Sequence, residues 1–360
     1  MKKVFLGLAC IAVVLYSCEK ESNEELVTSQ QEIQVDMSDF YVYTDEFVDL
    51  AAKGNNSKNC ASMSVLNAQL RSNPGLDKKM FDIEKEARKF IASKKPSGTP
   101  GGGNGGGGNG GGDGGGDPPV DDGLGSINIP VYVYVVYANS TQNISDAQIN
   151  SQISVLNADF NDTNFNEIPA EFAGVAADVD INFTLNSLNI DRQFNSTSSW
   201  GTNNAVKSVY PAQPGFLTIW VANIGGNILG YAQFPGGNAS TDGIVISPQF
   251  FGTTGTAQAP FDGGRTASHE VGHWLNLRHI WGDGRCRQDD FVADTPNSDG
   301  PNYSCPSGME TNIVSCKTRD MHMNYMDYTD DVCMGMFSEG QKARMRAIFA
   351  PGGPRANFIP

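Results

Sequence analysis

An α+β fold is predicted by three features: a β-branched and aromatic run at Ile127–Tyr137, a capped helical segment at Asp146–Phe160, and alternating polar and apolar residues over 178–185. Ser145 and Gln148 have capping-box spacing before the helix. Residues 216–221 read as a third strand, and 230–234 as an edge strand leading to Gly243, Ile244, Val245 and Ile246. Ser338, Glu339, Gly340 and Gln341 open a last helix carrying Arg344, Met345 and Ile348, again with capping-box spacing.

Upstream, one helical pattern covers 38–52, with Phe40, Phe47 and Leu50 as candidate apolar contacts. A second runs over 62–91, broken by a turn at Asn73, Pro74 and Gly75. After the turn, Leu76, Met80, Ile83, Ala87 and Phe90 recur at helical spacing, which suggests a small helical unit with a marginal core of its own. Residues 98–119 are almost all Gly with Asn, Asp and Pro. Such a coil has a root-mean-square reach of roughly 25 Å and buries no apolar surface, so it is a linker. The 360 residues therefore divide into 1–17, 18–97, the linker 98–119, and a larger domain at 120–360.

The first of these reads as a signal peptide. Lys2 and Lys3 precede an apolar run at 4–16 that is too short to span a bilayer stably. Leu15, Tyr16, Ser17 and Cys18 resemble the cleavage box of bacterial lipoproteins, in which Cys18 would be lipidated and Cys10 discarded; a chance Cys is the competing reading. Residues 19–25 form an acidic tether. Export is expected, with a lipid anchor at the outer membrane or cell surface and release if the linker is cut. No second apolar stretch approaches membrane-spanning length, so membrane contact is through the anchor alone. A net charge of -15 and a pI near 4.6 disfavour nucleic acid and anionic surfaces as partners.

Three of the four histidines fall within His269, Glu270, Val271, Gly272, His273, Trp274, Leu275, Asn276, Leu277, Arg278 and His279. On a helix, His269 and His273 share a face and can aim at one ion, with Glu270 beside it. A catalytic zinc takes three protein ligands and keeps one position open. His279 can be the third if the helix ends near Asn276 and the chain turns back, and Asn tolerates the left-handed conformation such a turn needs. Scattered histidines on an ordinary helix are the bland alternative. His322 is assigned no role. About fifty residues downstream, Met323, Asn324, Tyr325, Met326, Asp327 and Tyr328 sit among turn-forming and acidic residues.

The extended zinc helix and this Met-containing segment together resemble the metzincin metallopeptidases, and HEVGHWLNLRH with NYMDY resembles their pappalysin branch. The resemblance covers mainly 120–360 and departs from the commoner pattern at Asn276, where glycine is usual. It implies a mixed twisted sheet with an active-site helix, a Met-turn and a C-terminal helix, preceded by a helical pro-region. It implies that His269, His273 and His279 bind zinc, that Glu270 is the general base, and that Met326 lies beneath the metal. Tyr328 would hydrogen-bond the tetrahedral intermediate of peptide hydrolysis, and the edge strand would pair with an extended substrate. Without the zinc helix, Met326 and Tyr328 would read as ordinary core residues.

With Cys10 removed and Cys18 lipidated, the remaining cysteines are odd in number. Cys60, in its Asn59, Cys60, Ala61, Ser62 context, resembles the thiol that silences metzincin zymogens at the open zinc position; a buried free Cys or an intermolecular disulfide competes with that reading. Cys286, Cys305, Cys316 and Cys333 allow three pairings, and the resemblance favours Cys286 with Cys316 and Cys305 with Cys333. Each bridge would close about thirty residues and add roughly 3 kcal/mol, whereas a second zinc on these thiols lacks paired CxxC spacing. Residues 289–296 resemble the pappalysin calcium loop, with Asp290, Ala293 and Thr295 at the matching positions; a solvated acidic loop is the alternative. The expected activity is that of an exported zinc endopeptidase acting on a protein or peptide. A surface lipoprotein with a metal-stabilised binding module competes with it, although a structural zinc site needs no free carboxylate such as Glu270 beside the ion.

Overall fold

The computed structural model describes residues 33–44, 60–94, 121–164, 168–305 and 308–359. The signal segment, Cys10, Cys18, the acidic tether and the glycine linker lie outside the described residues, as does 45–52 of the first expected helix.

A five-stranded mixed sheet has the order β2-β1-β3-β5-β4, with β1 Ile127–Tyr137, β2 Ile181–Phe194, β3 Leu217–Ala222, β4 Gly230–Ala232 and β5 Ile244–Ile246. Four strands run parallel and β4 closes one edge antiparallel to β5. On β1, Ile127, Ile129, Val131, Val133 and Val135 are fully buried on one face, and Tyr134 and Val136 lie on the other with Trp220 and Tyr231. This two-sided burial makes the sequence a β-branched run rather than a simple alternation.

β2 starts later and runs further than the pattern at 178–185 suggests. Asp180 has φ 55° and its amide donates to Asp178 Oδ1 at 2.9 Å, so a local turn occupies the expected start. Beyond a register shift between Val131 and Val133, β1 continues to pair with β2 up to Phe194. The outer strand's polar residues carry little periodicity that would reveal this pairing.

Helices α3 Asp146–Phe160 and α6 Arg265–Trp274, separated in the chain by the short helices α4 Ala170–Ala173 and α5 Ala205–Val209, cover the more apolar face. Ser145 caps α3 by accepting from Gln148 N, but the Gln148 side chain does not complete the box. Its amide instead donates to the carbonyls of Pro248 and Phe251 at 3.1 and 2.9 Å. The last helix, α7 Glu339–Ala347, has both capping-box bonds of Ser338 and Gln341. Two disulfides, Cys286–Cys316 and Cys305–Cys333, staple the irregular segment between α6 and α7.

Helices α1 Ser62–Ser72 and α2 Leu76–Lys94 form the upstream unit, turning at Asn73, Pro74 and Gly75. Met63, Leu66, Leu70, Leu76 and Met80 pack together with Phe234 of the larger domain. Residues 38–44 are not helical. Phe40 stacks on Phe291 and meets Phe81 edge-on, the Tyr41 hydroxyl donates to the Gly282 and Asp289 carbonyls, and Arg88 pairs with Asp39. These long-range contacts replace the helical bonds that the spacing of Phe40 and its neighbours suggested. No helix among the described residues is long and apolar enough to cross a membrane.

Candidate active site

Helix α6 ends in a turn that aims the third histidine. Asn276 has φ 76°, its amide donates to His273 O at 3.0 Å, and the Leu277 amide donates to Gly272 O at 2.9 Å. This double bond pattern with a left-handed residue is a Schellman ending, for which Asn is the best substitute after Gly. The reversed chain brings His279 back against His269 and His273.

All three rings are buried, and each Nδ1 is engaged by an oxygen. His269 Nδ1 lies 2.7 Å from Tyr325 O, His273 Nδ1 2.9 Å from Leu277 O, and His279 Nδ1 2.5 Å from Asp283 Oδ1. These acceptors assign the ring proton to Nδ1 and turn the Nε2 lone pairs inward. His273 Nε2 is then 3.1 Å from His269 Nε2 and 3.2 Å from His279 Nε2. Lone pairs so arranged repel unless a cation lies among them, and a tetrahedral zinc with bonds of about 2.0 Å would space its nitrogens by about 3.3 Å. The donor set fits that ion. Cys60 Sγ joins the three nitrogens in a group whose atoms all lie within 4.8 Å of one another.

Glu270 is buried beside this group. Its Oε2 accepts from Ser62 Oγ at 2.7 Å and lies 3.5 Å from Cys60 Sγ. Gly230 leaves room for it, since a Cβ there would come within 2.9 Å of Glu270 Cγ. Burial and the Glu270 charge push the Cys60 thiol well up, and a cation at the histidines would pull it the other way. The edge strand is covered from outside: Cys60 bridges Gly230 in parallel, Ala61 N donates to Gly230 O at 3.0 Å, and Ala232 N donates to Ser62 Oγ at 2.7 Å. The Ser62 hydroxyl thus occupies the candidate base and the strand amide together.

Met326 lies under α6, close enough that a Cβ at Gly272 would approach its sulfur to 2.4 Å. Tyr328 rests edge-on against His279, with ring centres 4.9 Å apart, and its hydroxyl donates to Cys60 O at 3.4 Å. Burial, reinforced by nearby Cys60 and Asp283, holds its phenol protonated well above the ordinary range. Asp327 between them accepts from Asn302 N and Nδ2, both at 2.8 Å, and burial raises its carboxyl to about 7.

The remaining expected residues lie elsewhere. Asp290 and Thr295 meet, the Thr295 hydroxyl lying 2.8 and 2.9 Å from the two carboxylate oxygens, while Ala293 is exposed. Burial and neighbouring Asp289 push Asp290 well up. His322 is buried away from the cluster. Sequence reasoning missed Ser62, Gly230 and Asp283. Their signals were weak, a serine two positions from Cys60 and an aspartate four after His279.

A profile of the family described as Pregnancy-associated plasma protein-A, a peptidase family, matches residues 221–350. The extracellular metalloprotease 1 of Coccidioides posadasii is 34% identical over 237 residues, covering 62% of this chain and 77% of that protein. An extracellular metalloprotease of Verticillium alfalfae is 32% identical over 240 residues, with 62% and 76% covered. Among solved structures, mature mirolysin of Tannerella forsythia with a cleaved peptide is 45% identical with TM-score 0.61, covering 65% of this chain and 96% of that one. A glutamate-to-alanine mutant of Tannerella forsythia promirolysin is 38% identical with TM-score 0.68, covering 84% and 97%.

Proposed function

This chain belongs to the pappalysin family of metzincin metallopeptidases, and from that membership we propose that it is an exported zinc endopeptidase made as a latent precursor. The observation that carries the reading is the convergence of three imidazole nitrogens beside a buried carboxylate. His269, His273 and His279 would hold the metal. A bound zinc supplies Lewis-acid activation of the attacking water and the scissile carbonyl. Glu270 takes the water's proton and later delivers it to the leaving amine. The Tyr328 hydroxyl donates to the oxygen that gains negative charge, a contribution of about 3 kcal/mol for one such donor. Met326 forms the floor under the ligands.

A peptide substrate is supported by the cleaved peptide bound to the mature relative. It would lie along β4 and take the amide and carbonyl groups that Cys60, Ala61 and Ser62 now use. Residues 18–97 are the pro-region, 98–119 the linker and 120–360 the catalytic domain. In support, the likeness to the pro-form extends over more of this chain than the likeness to the mature form. Cys60 thiolate would take the open metal position and exclude water, a soft ligand suited to zinc. Cys18 is the proposed lipid anchor, and Asp290, Ala293 and Thr295 the proposed structural calcium ligands. A non-catalytic binding module is disfavoured by the family and by Glu270 beside the ligands.

The test is cleavage of an unstructured protein by the processed chain before chelation, after it, and after zinc is restored. Zinc-restored cleavage, absent in Glu270→Gln although that variant still binds zinc, is expected. Cys60→Ser should cleave without processing. Undiminished cleavage by Glu270→Gln would remove the base assignment.

A further inference from the structure

Asp159, in the last turn of α3, is a carboxylate with a fully buried side chain far along the chain from the histidine motif. Four groups converge on it. Ser268 Oγ donates at 2.5 Å, the Tyr325 hydroxyl at 2.9 Å, Arg265 Nη2 lies at 3.2 Å, and Asn164 Nδ2 donates at 3.4 Å. Ser268 immediately precedes His269, and Arg265 opens the same helix. Tyr325 immediately precedes Met326, and its carbonyl is the oxygen that engages His269 Nδ1. One carboxylate therefore grips both the helix that carries His269 and the turn that supplies the acceptor orienting its ring.

Burying such a group costs several kcal/mol, and an apolar side chain of similar volume would often serve stability as well. What an apolar side chain cannot do is fix two hydroxyls and a guanidinium relative to one another. An imidazole ligand depends on the oxygen at its other nitrogen for tautomer and orientation, and that dependence extends to whatever holds the oxygen.

We propose that Asp159 is a positioning residue for the metal centre, holding the Tyr325 carbonyl and the Ser268 turn of α6 in the register that aims His269 Nε2 at the ion. The inference rests on the reading of His269, His273 and His279 as metal ligands. Asp159 acts through Tyr325 and touches neither metal nor substrate.

The experiment measures zinc affinity by chelator competition in the full chain for wild type, Asp159→Asn, Tyr325→Phe and the double variant, with thermal unfolding of each metal-free protein. Tyr325→Phe keeps the ring and the carbonyl and removes the hydroxyl that donates to Asp159 and accepts from Asn164 Nδ2, so it reads the tether where Asp159→Asn folds poorly. Each single change is expected to weaken zinc binding about 10-fold, the low end for outer partners of metal ligands, and the double variant by about the same factor as one alone. Zinc affinity within about twofold of wild type in Tyr325→Phe, with only a lower unfolding temperature in the metal-free protein, would overturn the proposal. A wild-type chain that takes up no zinc would instead remove the metal-centre reading itself and the proposal with it.

Discussion

Replacing Glu84 by Gln is expected to loosen the proposed pro-region while leaving the catalytic centre of the processed chain untouched. Glu84 on α2 is 2% exposed and accepts from Arg344 Nη1 and Nη2 of α7 at 2.8 and 2.6 Å and from Arg88 Nε at 2.7 Å. Arg344 also donates through Nε to Asn276 O at 3.0 Å, so the pair docks α2 against the turn that aims His279. Burial pushes the Glu84 carboxyl up, but Arg344 and then Arg88 outweigh it and hold it at about 2 against an ordinary 4.5. That difference corresponds to about 3 kcal/mol, the lower end of the cost of breaking one partner of a buried pair. Arg88 lies on the same helix and keeps part of its interaction after undocking, which leaves about 2 kcal/mol, or about 30-fold, in the docking equilibrium. The assay is the labelling rate of Cys60 in the zinc-loaded precursor, read on the Cys60 peptide by mass spectrometry. Labelling and unprocessed activity should both rise about 30-fold, with activity unchanged once the proposed pro-region, and Glu84 with it, is cut away. A folded Glu84→Gln precursor that labels Cys60 at the wild-type rate would refute the reasoning.

Acid should act on the same contact. The folded pKa of Glu84 lies below its unfolded value, so its stabilisation is complete above about 4.5 and is lost as pH falls from there toward about 2. Cys60 labelling with a disulfide reagent active in acid should accelerate across that window in wild type and lack this component in Glu84→Gln. Tyr328→Phe is expected to lower kcat about 10²-fold with little change in KM, because in the proposed mechanism the hydroxyl donates where charge develops; a change confined to KM would assign it to substrate binding. Gly272→Ala puts a methyl 2.4 Å from the Met326 sulfur and should cost about 1–3 kcal/mol, seen as a lower unfolding temperature of the metal-loaded protein. No loss there would mean that Met326 does not press on α6.

Elements governed by local physics could be read before the fold was known. The limits of β1 and α3 coincide with the apolar run and the Ser145 cap because strand propensity, helical spacing and capping act within a few residues. The turn at Asn276 was legible for the same reason, since a left-handed residue at a fixed offset from two histidines is a local demand. Residues 38–44 were misread because Phe40 and Tyr41 answer to Phe291, Gly282 and Asp289, more than two hundred positions away. Glu84 left a trace, a carboxylate four residues after Met80 and three before Ala87 on an otherwise apolar face, but nothing local names Arg344 as its partner.

The same distinction separates the proposed ligands from what holds them. His269, His273 and His279 are spaced by helix and turn geometry, whereas the oxygens at their Nδ1 atoms come partly from that local turn and partly from elsewhere. Leu277 O is within the motif's reach, and Asp283 follows it closely, but Tyr325 O arrives from more than fifty residues downstream. Of the three proposed ligands, His269 is therefore the one whose aim depends most on tertiary structure. Its acceptor is held by a turn fastened to α3, and α3 carries no metal-binding signature of its own. A motif can name the atoms that would meet an ion, because those lie on one helix and its exit. The precision with which they meet is set by groups whose only common property is that the fold brings them to Asp159.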